Sequence, residues 1–154
     1  MSIDPECVAR EAQFHFKSGF NCSESMLKAF SEALGIRNET FPMIATAFGA
    51  GIGRLSQECG VLTGGIMVIG LVHGRRRPAE IDKKERSYTI ARAYYEAFKQ
   101  RFGSVKCIEI QGSNLLDPKE ADIMAEKRRC ICRKAVWDGA YMLAKLLQQQ
   151  DVNE

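Results

Sequence analysis

The sequence has no C-x-x-C pair, although six of its 154 residues are cysteine. This absence excludes the thioredoxin-type redox motif and the commonest spacing of a structural zinc site. A site that uses four cysteines therefore has to be assembled from distant parts of the chain. Histidine is also scarce, with only His15 and His73. No Ser-His-Asp or Cys-His arrangement can be picked out, so the sequence does not favour nucleophilic hydrolysis.

Long hydrophobic runs are absent as well. The longest apolar stretch, residues 61–72, is much shorter than the about 20 residues that span a bilayer. Asp4, Glu6, Arg10 and Glu11 interrupt the N-terminal segment, which therefore does not resemble a signal peptide. A net charge of +3 is too small to indicate nucleic-acid binding. We expect a cytoplasmic protein without membrane insertion, in a compartment where cysteines are more often redox-active or metal-binding than permanently paired.

Strand signals are nearly absent, and apolar residues recur at helical spacing between Gly and Pro residues. This pattern predicts one all-α domain over residues 1–154, a bundle of about six helices. The predicted helices lie between Asp4 and Gly19, between Asn21 and Gly35, and over residues 41–48, 57–73, 81–102 and 117–149. The fourth of these is the apolar one, and we expect it to be buried. The Gly-rich segment 49–53 before it predicts a tight, partly left-handed turn.

Three cysteines stand where helices are predicted to begin. Cys22 follows Asn21, a good N-cap residue, and Glu24 completes a capping-box pattern. Cys59 and Cys107 each stand three residues after a candidate N-cap serine, which predicts that each is the third residue of a helical first turn. Free amide groups and the positive end of the helix dipole favour a thiolate, so we predict a lowered pKa for all three thiols. We also expect the Cys59 sulfur to be partly accessible, because the neighbouring glycines carry little side-chain bulk.

Cys130 and Cys132 obtain positive surroundings in a different way. Their basic neighbours are Lys127, Arg128, Arg129, Arg133 and Lys134. Only one residue separates the two cysteines, and such close neighbours within a helix cannot form a relaxed disulfide. Either could supply a metal ligand or a resolving thiol. The competing interpretation for every cysteine is a structural one, since a free cysteine usually behaves as a small buried hydrophobe.

The glycines favour structural roles over ligand binding. A dinucleotide fingerprint is disfavoured because its loop follows a helix here, and because Arg54 stands where the final glycine should be. Glycines four residues apart, Gly60 with Gly64 and Gly70 with Gly74, predict close helix packing. The glycines to which we assign a structural role are Gly49, Gly51, Gly53, Gly60 and Gly64.

An ordered set of segments covers nearly the whole chain. It consists of Asn21-Cys22, Ala47 to Gly53, Cys59 to Gly64, Arg101-Phe102-Gly103 followed by Cys107, and Cys132 with Val136. Taken together, these segments resemble the C_GCAxxG_C_C family of redox-active proteins. The resemblance implies that the four defining cysteines are Cys22, Cys59, Cys107 and Cys132, and that Cys7 and Cys130 are additional. It also implies a small bacterial or archaeal protein, in a family often associated with transporter genes.

Three hypotheses about function follow. In the first, the protein is a thiol redox protein, either an oxidoreductase or an electron carrier, and it needs no cofactor. Cys59 and Cys22 are then the leading reactive thiols, and Cys107 and Cys132 are their partners or resolving thiols. In the second, the same four thiolates are metal ligands that hold an iron–sulfur cluster or zinc. In the third, the cysteines are structural and the protein is an accessory module of a transporter system. The partners considered are a redox partner, a transporter system and a second copy of the chain in a homodimer.

Overall fold

The computed structural model describes residues 3–152, and within that range it is helical without a named strand. The α-helices are α1 (Pro5–Lys17), α2 (Cys22–Ala33), α3 (Thr40–Ala45), α4 (Gly60–His73), α5 (Ile81–Phe102), α6 (Cys107–Gln111), α7 (Pro118–Ile123) and α8 (Ala125–Val152). A 3-10 turn, Thr46–Phe48, follows α3. The all-α prediction is confirmed. The described part has two more helices than the six predicted ranges, because Met124 divides the last helical region and because the helix start predicted at Cys107 had not been counted as a separate helix.

The starts of α1 and α2 follow from local capping. The Asp4 carboxylate accepts a hydrogen bond from the Cys7 N–H at 2.7 Å, and Pro5 occupies the first helical position. At α2, the Asn21 side chain accepts from the Glu24 N–H at 3.0 Å, and the Glu24 carboxylate accepts from the Asn21 N–H at 2.8 Å. Each bond satisfies an amide that the helix itself leaves unpaired. Both helices therefore begin where the sequence predicts.

Helix α4 is the buried apolar helix, and it packs against α2, α5 and α8. Its side chains Val61, Leu62 and Val68 are almost fully buried in the core. Across the core, the Tyr94 hydroxyl of α5 donates to the carbonyl of Gly139 in α8 at 3.2 Å. Within residues 3–152, no helix combines the length and the apolar character needed to cross a membrane.

Two glycines bring α4 close to α2. A Cβ atom at Gly64 would lie 2.7 Å from the carbonyl oxygen of Ser23, and one at Gly60 would lie 3.0 Å from the Cys22 Cβ. Any side chain at these positions would push the helices apart. The predicted close packing is thus found at Gly60 and Gly64. The prediction of close packing was wrong for Gly70, which is exposed and has nothing within 4 Å of an added Cβ.

A left-handed turn lies between the 3-10 turn Thr46–Phe48 and α4. Its residues, with positive φ throughout, are Ala50, Gly51, Ile52, Gly53 and Arg54. The Gly53 N–H donates to the Gly49 carbonyl at 3.0 Å and closes the turn. A left-handed conformation costs about 1–2 kcal/mol for each residue with a side chain, and glycine avoids most of that cost. The turn therefore depends on Gly51 and Gly53, in agreement with the predicted partly left-handed turn.

Candidate functional site

A cavity of about 160 Å³ lies where α2, α4, α6 and α8 come together. Its lining includes the four cysteines Cys22, Cys59, Cys107 and Cys132. We call it the thiol cavity. The four cysteines come from separate parts of the chain, so the fold brings them together without a local motif. Cys7 and Cys130 are exposed and do not line it.

A single antiparallel bridge positions two of these cysteines. Glu58 pairs with Lys106, and the backbone N–H groups of Cys59 and Cys107 donate the flanking hydrogen bonds. Side chains alternate between the two faces of such a pair. Glu58 and Lys106 share the outer face, where the Lys106 Nζ lies 2.7 Å from the Glu58 Oε1. Cys59 and Cys107 consequently share the inner face and reach the cavity.

The bridge also corrects two predicted helix positions. Cys59 is the N-cap residue of α4 and Cys107 is the first residue of α6, whereas both were predicted at the third position of a helical turn. Ser56, the predicted N-cap, has a left-handed backbone with φ of 58°, and its hydroxyl accepts from the Leu115 N–H at 3.4 Å. The extended bridge replaces the helical turn that the serine suggested. Cys22 is the first residue of α2, as predicted.

Cys22 and Cys132 form a thiol pair within the cavity. Interaction with the Cys22 thiol as a hydrogen-bond donor lowers the pKa of Cys132. The charge of Arg128 lowers it further. The pKa of Cys22 is raised, first by its bond to Cys132 and then by burial. Arg128 stands one helical turn before Cys132, and its Nη1 donates to the Ala121 carbonyl at 2.7 Å.

The pKa of the Cys59 thiol is raised, not lowered as the sequence predicted. Its side chain is buried, and loss of solvation raises the pKa of the thiol to about 12. The amides of Val61 and Leu62 face the sulfur and favour the thiolate, yet burial outweighs them. The prediction assumed that glycine leaves open space around the sulfur. Instead, the Cys22 Cβ fills the space beside Gly60, so the missing side chain admits protein atoms rather than solvent.

Cys107 also has a raised pKa. Burial raises it to about 11, although the hydrogen bond with Gln111 and the charge of Arg128 oppose that change. Gly51 packs directly on this cysteine, since an added Cβ would lie 2.7 Å from the Cys107 Cβ. The lowered pKa predicted for the three helix-start thiols was therefore wrong for each of them. Among the four cavity thiols, only Cys132 has a lowered pKa.

Two residues of the site were not singled out from the sequence. Gln111 stands four residues after Cys107, and Arg128 stands four residues before Cys132. Residues four apart on a helix lie on the same face. That spacing would have selected Gln111 as a partner of Cys107. It would also have favoured Arg128 together with Arg129, which stands three residues before Cys132 and also lines the cavity.

Within residues 3–152, the cysteine sulfurs are not grouped as the ligands of a tetrahedral zinc ion would be. Among the described residues, no three cysteine sulfurs all lie within 4.8 Å of one another. A tetrahedral zinc with Zn–S bonds of about 2.3 Å would hold its sulfurs about 3.8 Å apart. The thiol cavity in this structure is therefore not a preformed site for a single zinc ion.

A separate group of potential ligands lies between α1 and α2. The ligand atoms of Glu11, His15 and Glu32 lie within 4.8 Å of one another. His15 is buried, and its Nε2 lies 2.8 Å from the Glu32 carboxylate, which also pairs with Lys28. His15 and Glu32 are thus already partnered with each other. We therefore assign His15 a structural role as a tie between the two helices.

A comparison with protein families adds an independent finding. Residues 20–146 match the family model described as "Putative redox-active protein (C_GCAxxG_C_C)". The matched range is well over half of the chain and contains all four cavity cysteines, whereas Cys7 lies outside it. No curated protein and no solved structure matches the chain.

Proposed function

Because the chain belongs to the C_GCAxxG_C_C family of redox-active proteins, we propose that it is a thiol–disulfide redox protein whose reactive pair is Cys22 and Cys132. The observation that carries the proposal is that Cys22, Cys132 and Arg128 line the same cavity, where Cys22 and Arg128 both lower the pKa of the Cys132 thiol. A thiolate is the nucleophile of disulfide exchange, and the second thiol must be close enough to resolve the mixed disulfide. Cys132 thus replaces Cys59 as the leading nucleophile.

The exchange has two steps. The Cys132 thiolate attacks one sulfur of a substrate disulfide, the substrate S–S bond breaks, and one substrate sulfur leaves as a thiolate. Cys22 then loses its proton to the departing group and attacks the Cys132 sulfur. This second step releases the other substrate sulfur and leaves a Cys22–Cys132 disulfide. Two electrons pass from the protein to the substrate.

Cys59 and Cys107 are less suited to form a disulfide with each other. They are diagonal neighbours across the antiparallel bridge, and such residues have Cα atoms about 7–8 Å apart. An ordinary disulfide has Cα atoms about 4.4–6.8 Å apart. Burial also keeps both thiols protonated near neutral pH. We infer that they form the inner wall of the cavity during the exchange.

The proposal is tested by titrating the protein in dithiothreitol redox buffers without oxygen. Free thiols are alkylated at each point, and mass spectrometry identifies the bridged cysteines. We expect one reversible disulfide, between Cys22 and Cys132. The Cys132→Ser variant should lose it, whereas Cys130→Ser, a matched change at an exposed position, should retain it. A reversible disulfide between other cysteines, or none, would overturn the assignment.

The convergence of four thiols supports a second candidate, an electron-transfer protein with an iron–sulfur cluster. Disulfide exchange needs two thiols, whereas a cluster takes four thiolate ligands. Cys22, Cys59, Cys107 and Cys132 would be those ligands, and sulfurs too far apart for one zinc suit a group with several irons. Anaerobic reconstitution with iron and sulfide tests this candidate. A visible absorption band lost in Cys59→Ser but retained in Cys130→Ser would support it, and a colourless protein would exclude it.

A further inference from the structure

The volume of the thiol cavity restricts which oxidants can reach the reactive pair. At about 160 Å³, the cavity is close to the engineered cavity of about 150 Å³ that binds benzene. A peptide disulfide or a disulfide of two tripeptides is several times larger. The apolar part of the lining comprises Phe16, Val61, Ile110, Leu115 and Ala135. A small molecule with an apolar part therefore fits best.

Arg128 gives one side of this cavity a positive charge beside the thiol pair. An arginine has five N–H donors, and the described residues take one of them, at the Ala121 carbonyl. The remaining donors are available to an oxygen atom that gains negative charge next to Cys132. Fixed donors aimed at a developing oxyanion accelerate a reaction by stabilising its transition state.

From the cavity volume, its apolar lining and the position of Arg128, we propose that the oxidant of the Cys22–Cys132 pair is a small hydroperoxide. This inference rests on the proposed function of Cys22 and Cys132 as a redox pair, and it names a hydroperoxide, in place of a substrate disulfide, as the oxidant of that pair. Hydrogen peroxide and short alkyl hydroperoxides are small enough to enter. Their reduction produces hydroxide or alkoxide, which is the kind of anion that an arginine stabilises.

The reaction balances with the two thiols alone. The Cys132 thiolate attacks the terminal oxygen of the hydroperoxide, the O–O bond breaks, and Cys132 becomes a sulfenic acid while an alkoxide leaves. The alkoxide takes the proton of Cys22 and becomes an alcohol. The Cys22 thiolate then attacks the Cys132 sulfur and releases hydroxide. The products are a disulfide, an alcohol and hydroxide, and two electrons have passed to the peroxide.

The test compares oxidants of increasing size on the reduced, full-length protein. The rate of formation of the Cys22–Cys132 disulfide is measured by rapid quenching and mass spectrometry, with hydrogen peroxide, tert-butyl hydroperoxide and cumene hydroperoxide. We expect cumene hydroperoxide to be slower than tert-butyl hydroperoxide by about tenfold or more, because its phenyl group already fills a benzene-sized cavity and leaves no room for the rest of the molecule. Leu115→Ala enlarges the cavity and should reduce the ratio of the rate with tert-butyl hydroperoxide to the rate with cumene hydroperoxide. A sulfenic acid should be trapped at Cys132 in Cys22→Ser.

Variants of the basic residues test the role of Arg128. Arg128→Gln should lower the rate with tert-butyl hydroperoxide by about a hundredfold, the size of effect seen when one oxyanion donor is removed. Arg128→Lys should restore part of the rate, because it keeps the charge. Lys127→Gln removes the same charge from an exposed neighbouring position and should leave the rate unchanged. An equal loss in Lys127→Gln would show a general charge effect and overturn the role of Arg128.

One comparison separates this inference from the function on which it rests. The reduced protein is also treated with oxidised dithiothreitol. If that reagent forms the Cys22–Cys132 disulfide but hydroperoxides react no faster than with free cysteine, the inference is wrong and the thiol–disulfide function stands. If neither oxidant forms the disulfide, both are wrong.

Discussion

Cys132 and Cys59 line the same cavity, yet their pKa values move in opposite directions. Both lose solvation, which raises the pKa of a thiol. Cys132 gains a hydrogen bond from another thiol and the charge of Arg128, whereas Cys59 has only backbone amides to favour its thiolate. Acidity within the cavity is therefore decided by side-chain partners rather than by position at a helix start.

The difference in acidity predicts the order in which the thiols are alkylated. In the reduced protein, Cys132 should react with N-ethylmaleimide at a lower pH than Cys59, because only the thiolate reacts and burial keeps Cys59 protonated. Mass spectrometry after short pulses at a series of pH values measures the midpoint for each cysteine. Arg128→Gln should raise the midpoint of Cys132, because it removes the positive charge that favours this thiolate. Equal midpoints for Cys132 and Cys59 would contradict the proposed difference.

The buried Cys59 thiol also predicts a loss of stability at alkaline pH. Its pKa is about 12 in the folded protein and about 8.5 in an unfolded chain. The folded state thus holds this proton more tightly than the unfolded chain does. The contribution of the Cys59 thiol to the free energy of unfolding is therefore fully present below about pH 8.5 and decreases as pH rises towards 12. The loss should be up to about 1.4 kcal/mol per pH unit for this one group.

Urea unfolding of the reduced protein at several alkaline pH values measures the effect. The free energy of unfolding should fall less steeply with pH in Cys59→Ser than in the original protein, since serine does not ionise in this range. Cys130→Ser is the matched control and should keep the original slope, because that cysteine is exposed. An unchanged slope in Cys59→Ser would mean that the pKa of the Cys59 thiol is the same in the folded and unfolded states.

At the scale of the elements, α2 and α4 hold Cys22 and Cys59 together through glycine contacts. Gly64→Ala should destabilise the protein by about 1–3 kcal/mol, because the new methyl group meets the Ser23 carbonyl oxygen at 2.7 Å. Gly70→Ala is the same change on the same helix at an open, exposed position. It should stabilise by about 0.5–1 kcal/mol, since alanine favours helix.

Thermal and urea unfolding of the two alanine variants compares these effects directly. The alkylation midpoint of Cys132 should also shift in Gly64→Ala, because separation of α2 from α4 moves Cys22 away from its partner. Gly70→Ala should not alter that midpoint. Destabilisation of similar size in both variants would indicate a general intolerance of alanine in α4 rather than a close approach to α2.

The elements that could be predicted from the sequence are those with local causes. The beginnings of α1 and α2 depend on Asp4 and Asn21, whose capping bonds reach only three residues along the chain. The positions of Cys59 and Cys107 depend instead on the Glu58–Lys106 bridge, which joins segments far apart in sequence. A serine three residues before each cysteine imitates a helix start, and no local pattern reveals the bridge. This explains why the helices were predicted better than the thiol positions.

At the scale of the whole molecule, the site exists only when the core is formed. Helix α2 brings Cys22 to the cavity, and α8 brings Cys132. The Glu58–Lys106 bridge places Cys59 and Cys107 there. The resemblance to a family selected these four cysteines, but spacing alone could not predict that they share one cavity. The contact between Cys22 and Cys132 is a tertiary contact between residues about 110 positions apart. Their redox state should therefore be coupled to global stability.

This coupling predicts that oxidation stabilises the protein. A disulfide that closes a loop of this length lowers the entropy of the unfolded chain and should raise the free energy of unfolding by about 4–5 kcal/mol. For a chain of this size, the corresponding increase in the melting temperature is roughly 10–20 °C. Calorimetry of the oxidised and reduced forms measures the difference, which should vanish in Cys22→Ser and persist in Cys130→Ser. An oxidised form that melts at or below the temperature of the reduced form would show that the Cys22–Cys132 disulfide strains the fold, and that the two thiols are not placed to form it readily.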